Sequence, residues 1–186
     1  MNNSTSSRYG SVTQIIHWLT AVLVLAAFIL GPGGSELRVY LPARDFERQM
    51  HETLGLCVLA LTLLRLVWRV LDKQPVPLEM PAWMQLMSKA THGGLYLLLL
   101  AVPVSAIVGA WLQGHPVTLL AGFEIAPKLA MSHDLGNTIA EVHGWLGDMI
   151  VWLAGLHAGA AIYHHVFLRD EVLVSMLPRW IQPLRK

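Results

Sequence analysis

Residues 138 to 168 read TIAEVHGWLGDMIVWLAGLHAGAAIYHHVFL, an almost unbroken apolar run with histidines at 143 and 157. On an α-helix fourteen residues make almost four turns, so both imidazoles project within about 40° of one face and roughly 21 Å apart along the axis. One helix can thus present a ligand near each side of a bilayer.

The rest of the chain reads the same way. Of its 186 residues 54% are hydrophobic and 13% charged, against roughly 25% charged in soluble domains. Stretches long enough to cross about 30 Å of hydrocarbon occur at 12–31, 51–71, 91–112 and 138–167. They absorb most of the chain and predict a single all-α domain over 1–186, an integral membrane four-helix bundle. The first stretch follows Arg8 as a secretory signal would. It exceeds a signal core in length and is followed by GPGGS rather than a small-residue cleavage site, so it reads as a retained helix. Cys57 is the only cysteine, which excludes a disulfide within the chain and covalent haem attachment through C-x-x-C-H.

Orientation follows from the flanking cations. With the N-terminus cytoplasmic, the inner side collects Arg8, Arg65, Arg69, Lys73, Lys89, Arg169, Arg179, Arg185 and Lys186, leaving Arg38, Arg44, Arg48 and Lys128 outside. That bias places both termini in the cytoplasm. Between the second and third helices QPVPLEMP reads as a stiff, non-helical link.

Depth then sorts the histidines. His17 lies in a helix running outward and falls toward the inner side, whereas His51 opens a helix that starts outside. The fourth helix runs inward, with His143 outer and His157 inner. The pairs are therefore His51 with His143 and His17 with His157, each drawn from two helices, as a ligand sandwich in a bundle requires.

Haem suits these pairs better than zinc. A porphyrin between two imidazoles needs a flat slot, and the residues one turn along are Ala21, Gly55, Gly147 and Ala161. After His92, His164 and His165 the corresponding residues are Tyr96, Leu168 and Arg169. A closed zinc site wants four ligands together, and two at each depth leave it incomplete. The competing reading is close helix packing, which also selects small residues, with the histidines as packing groups or members of a proton relay.

Several motifs carry a resemblance. RYG followed by HW between Arg8 and Trp18, HETLG from His51, RLVWR from Arg65, HGGLYLLL from His92, and LHAGAAIYHHVF followed by Asp170 together resemble the bacterial cytochrome b561 family. The resemblance implies a di-haem b cytochrome of the bacterial inner membrane, with His17, His51, His143 and His157 as axial ligands. One branch of that family is similar to a superoxide:ubiquinone oxidoreductase. It further implies a quinone near His164 and His165, and His164 lies about 10 Å inward of His157 on nearly the same face.

Other residues remain open. Arg65 stands fourteen residues after His51 and could hold a haem propionate by a bidentate fork, or snorkel to headgroups as Arg69 is expected to. Trp18, Trp68, Trp111 and Trp145 are expected to anchor the interfaces, and His115 and His133 are placed in the outer loop without a haem role. Asp148 falls inside the fourth apolar stretch, where an unpaired carboxylate is expensive.

The expected function is electron transfer from a periplasmic-side donor, superoxide in the resembling branch, through two b haems to ubiquinone. Driving each electron inward opposes an inside-negative potential by about 2.3 kcal/mol per 100 mV. The outer loops mix Arg38, Arg44 and Arg48 with Glu36, Asp45 and Glu47, and Lys128 with Glu124, Asp134 and Glu141, so no strong field for an anion is evident. The alternatives are a membrane anchor passing electrons between a periplasmic redox protein and the quinone pool, a non-catalytic haem-binding protein, and a haem-free proton or ion transporter. Neither a nucleotide-binding loop nor a basic nucleic-acid surface is present.

Overall fold

A computed structural model describes residues 8–72 and 80–178. Most of the QPVPLEMP link, with Lys73, Arg179, Arg185 and Lys186, lies outside the described residues. Four long helices carry the chain: α1 Ser11–Ile29, α2 Asp45–Leu71, α3 Ala82–Leu112 and α4 His133–Tyr163. Each lies in a segment long and apolar enough to cross a membrane.

Helices α2, α3 and α4 begin well before the apolar stretches read from sequence. Their opening turns, such as DFERQM in α2 and HDLGN in α4, are polar, and Asp45, Glu47 and Asp134 put negative charge in the first turn where the helix dipole favours it. His133 is consequently the first residue of α4 rather than a loop residue. At the other end α4 continues into a π-helical turn, His164–Leu168, which stops at Arg169 in the left-handed conformation (φ 55°).

The bundle consists of two close helix pairs, α1 with α2 and α3 with α4. Glycine zips the second pair: a Cβ on Gly94 would lie 3.1 Å from Leu153 Cδ2, and one on Gly136 2.8 Å from Gln113 Cγ. Close approach of this kind is how membrane helices gain packing energy where lipid is as apolar as the side chains. Helix α4 touches α1 sparsely. The core between the pairs is a mid-height layer of Val58, Leu98, Leu99 and Ile150, flanked by Leu23 and Val24. Val58 and Ile150 fall seven residues, two helical turns, from the histidines of their own helices. An apolar plug therefore separates an outer from an inner histidine level.

The end of the bundle away from the described termini, labelled outer after the cation count with the opposite end labelled inner, is capped by the α1–α2 and α3–α4 connections. A short helix, Glu36–Val39, and a two-stranded hairpin, β1 Val117–Thr118 with antiparallel β2 Glu124–Ile125, fold over the start of α2. Glu52 accepts from the Thr118 amide, and Thr53 Oγ1 accepts from the Leu120 amide at 3.0 Å. Tyr40 stacks on His115 at 3.5 Å between centroids, and His115 Nε2 meets Glu36 at 3.0 Å. At the inner end a short helix, Val172–Met176, crosses the start of α1. Gln14 Nε2 donates to Ser175 O and Trp18 Nε1 to Met176 O, while Arg8 reaches Leu177 O. The first and last described residues thus meet at the same end of the bundle.

Candidate functional site

The outer histidines face each other across the gap between α2 and α4. Their ring centroids are 5.9 Å apart and the rings stand at 85°. An iron held between two imidazoles, with about 2 Å metal–nitrogen bonds, spaces the ring centroids by about 6 Å. The inner pair, His17 and His157, matches that spacing at 6.2 Å and 74°.

The second nitrogens matter as much as the spacing. His51 Nδ1 lies 2.8 Å from Ala27 O, and His143 Nδ1 2.9 Å from Val102 O with Ser105 Oγ at 3.4 Å. A carbonyl accepts only, so each ring carries its proton on Nδ1 and leaves Nε2 as a bare lone pair. This is the arrangement that orients metal-ligating histidines. The local cause for His51 lies in the sequence after α1. The GPGG run ends the helix, the Gly31 amide turns back to Phe28 O, and the Ala27 carbonyl takes the imidazole instead.

There is also room for a plate. A Cβ added at Gly55 or Gly147, one turn beyond His51 and His143, would meet nothing within 4 Å. This contrasts with Gly94 and Gly136 at the α3–α4 seam. The residues at the outer level thus fit a haem: two acceptor nitrogens at the right separation beside open space.

The inner level differs in two respects. Arg65 Nη1 lies 3.3 Å from His17 Nδ1 and its guanidinium sits over Tyr96 at 5.5 Å, with Arg69 over the same ring at 5.7 Å. A His17 ligating through Nε2 keeps its proton on Nδ1, so the two donors then face each other and Arg65 must turn away. That frees its fork for another acceptor. His92 also lies 5.2 Å from His157, nearer than His17 does. Sequence spacing set His92 apart because Tyr96 follows it one turn on. Its position depends on the α3–α4 register, which helix periodicity does not contain. A cavity of about 480 Å³ opens beside this level, lined by Arg65, Arg69, Lys89, His92 and Tyr96 among others.

His164 and His165 are separated by the structure. His164 is half-buried, its Nδ1 2.5 Å from Asp170 Oδ2, whereas His165 is exposed. Asp170 also accepts from the Val172 amide at 3.0 Å, so the turn after α4 fixes the carboxylate and the carboxylate fixes the ring. The sequence contained Asp170 as a motif residue but not this contact.

Asp148 is exposed on α4 and borders an outer cleft of about 860 Å³ with Gly34, Ser35, Glu36, Asn137, Glu141 and Trp145. Glu141, Trp145 and Asp148 repeat at helical spacing, so the cleft runs from the outer loop down one face of α4. Among the described residues, no cluster of three or more His, Cys, Asp or Glu is arranged as a metal site.

Comparison with known proteins gives a consistent result. Residues 8–179 match the family described as prokaryotic cytochrome b561. The chain is 30% identical to cytochrome b561 homolog 2 of Escherichia coli K12, over 94% of this chain and 93% of the relative. It is 29% identical to the probable superoxide oxidase CybB of Yersinia pestis, over 92% and 97%. It is 27% identical to a cytochrome b562 of Cereibacter sphaeroides, over 91% and 94%. With four helices fit to cross a membrane and a family match over nearly its whole length, the chain belongs to the prokaryotic cytochrome b561 family, multi-pass inner-membrane haem proteins of electron transport.

Proposed function

We propose that the chain is a two-haem b-type cytochrome that carries electrons across the inner membrane from a periplasmic-side donor to ubiquinone. His51 and His143 hold the outer haem, and His17 and His157 the inner one. The observation that carries this reading is the outer pair: two rings 5.9 Å apart, each with Nδ1 committed to a backbone carbonyl. Both termini are cytoplasmic in this reading, which the excess of flanking cations on that side supports.

Haem b, when bound, supplies reversible one-electron chemistry at iron. The protein's own residues do the rest. Ala27 and Val102 carbonyls hold two ligands in the metal-binding tautomer. Val58, Leu98, Leu99 and Ile150 keep water out of the space between the two levels. Arg65, released from His17, offers its fork to an inner haem propionate. His164, held by Asp170 through Nδ1, presents Nε2 toward a quinone oxygen and donates to it when that nitrogen also carries a proton. His165, exposed at the same turn, is the lesser candidate for that contact.

The Yersinia relative's description as a probable superoxide oxidase makes superoxide the first donor to test. A specific feature favours a second reading. The outer cleft is lined by Glu36, Glu141 and Asp148, a surface that repels a small anion and suits the basic patch of a periplasmic redox protein. The discriminating experiment is a superoxide pulse on purified oxidised protein with and without added ubiquinone. Rapid haem reduction and quinone-dependent reoxidation support the superoxide route. Haems indifferent to superoxide but reoxidised by quinone, once chemically reduced, support the protein-partnered carrier. Haems that quinone does not reoxidise contradict both.

A further inference from the structure

Arg48 stands one turn before His51 at the outer end of α2, about 4.5 Å further out along the axis. Its side chain is only 10% exposed. One terminal nitrogen pairs with Asp45 at 2.9 Å and the other with Glu52 at 3.0 Å, and the guanidinium carbon lies 5.1 Å from the centre of the Tyr40 ring. The third nitrogen, Nε, is sealed from water and has no hydrogen-bond partner. Trp111 Nε1, in the last turn of α3, is the other such atom among the described side chains.

A buried N–H with nothing to accept it is an exception that asks for a missing acceptor. The position narrows the chemistry. Arg48 shares the helix of His51, one turn further out and about 60° around the axis, and the His51 ring faces His143 beside open space at Gly55 and Gly147. A porphyrin held there has two carboxylate side arms at one edge. Arms of an outer haem directed away from the apolar plug would run toward the first turns of α2, where Arg48 stands. Arg48 is already fixed in rotamer by Asp45, Glu52 and Tyr40, so a carboxylate there would meet a pre-aimed donor. Trp111 is not included, because it faces about 200° away from Gly109, the α3 residue that abuts α4.

We propose that Arg48 binds a propionate of the outer haem through its Nε–H, and so helps to set that haem's potential. The assignment rests on the two-haem reading. Removing a donor from the propionate leaves that carboxylate more electron-rich and disfavours the added electron. The effect belongs to the outer haem alone.

The test is a redox titration of purified Arg48→Lys, which keeps the charge and loses the fork. Haem content should stay at the unsubstituted level. The outer haem's reduced-to-oxidised ratio at fixed potential should fall about tenfold, about 59 mV for one electron, and the inner haem should not move. Unshifted potentials for both haems would overturn the assignment. Should Arg48→Lys fail to insert, resonance Raman of the unsubstituted protein decides. A propionate bending band that shifts in D2O supports an N–H donor, and a band insensitive to D2O overturns it. Fewer than two haems in the unsubstituted protein would fail the two-haem reading; two haems without the Arg48 effect would fail only this inference.

Discussion

His51 and His143 are more than two imidazoles at a suitable distance. Each has one nitrogen occupied by a backbone carbonyl, and the carbonyl's inability to donate fixes which nitrogen is left bare. At His164 a carboxylate stands in place of the carbonyl and orients the ring through Nδ1. Replacing Asp170 by Asn keeps the shape and removes the charge that orients the ring. The expected outcome is an unchanged haem content with quinone-dependent reoxidation slowed about tenfold, the usual scale for losing an orienting partner. Stopped-flow reoxidation by a ubiquinone analogue checks it, and an unaltered rate would return His164 to a purely structural role. These partners were not legible in the sequence. The pairing of the four histidines by depth was, because helical spacing is local, but Ala27, Val102 and Asp170 meet rings through helix ends and inter-helix register.

Among the elements, glycine does two different jobs in α4. At Gly136 it lets α3 come close, and a side chain there meets backbone and side-chain atoms at 2.8–3.1 Å. At Gly147 it leaves space. Gly147→Leu is therefore expected to fold and insert while losing the outer haem, halving haem per chain. Gly136→Leu is expected to lower stability by about 1–3 kcal/mol through overpacking. Haem-to-protein ratio and thermal unfolding in detergent separate the two. The sequence signalled the glycine at one turn's spacing but not which glycines pack and which stand open, a distinction made by the neighbouring helix. The outer cap makes a further prediction. Burial, and then the Glu52 charge, raise the Tyr40 phenol above its usual range. Its neutral form is the one the fold favours, so its contribution holds at lower pH and is lost only as pH rises through the raised value. In an alkaline absorbance titration of the folded protein, Tyr40→Phe should leave the phenolate signal near pH 10 unchanged; a smaller signal would place Tyr40 in water.

Across the whole molecule, two helix pairs leave a gap, and histidines from both sides bridge it at two levels separated by an apolar layer. The sequence anticipated this architecture because four apolar runs and the depth of each histidine follow from bilayer thickness and chain direction alone. It did not anticipate the acidic outer cleft, which residues from the first loop and α4 build only once folded. The central claim is that the two levels are two haem sites. Its most direct test is the haem-to-protein ratio of the purified chain by pyridine haemochrome, repeated on His143→Ala. Two ligand pairs imply about two b haems per chain, falling to about one in the variant. A ratio of one or none in the unsubstituted chain, or two retained after His143 is removed, would contradict it.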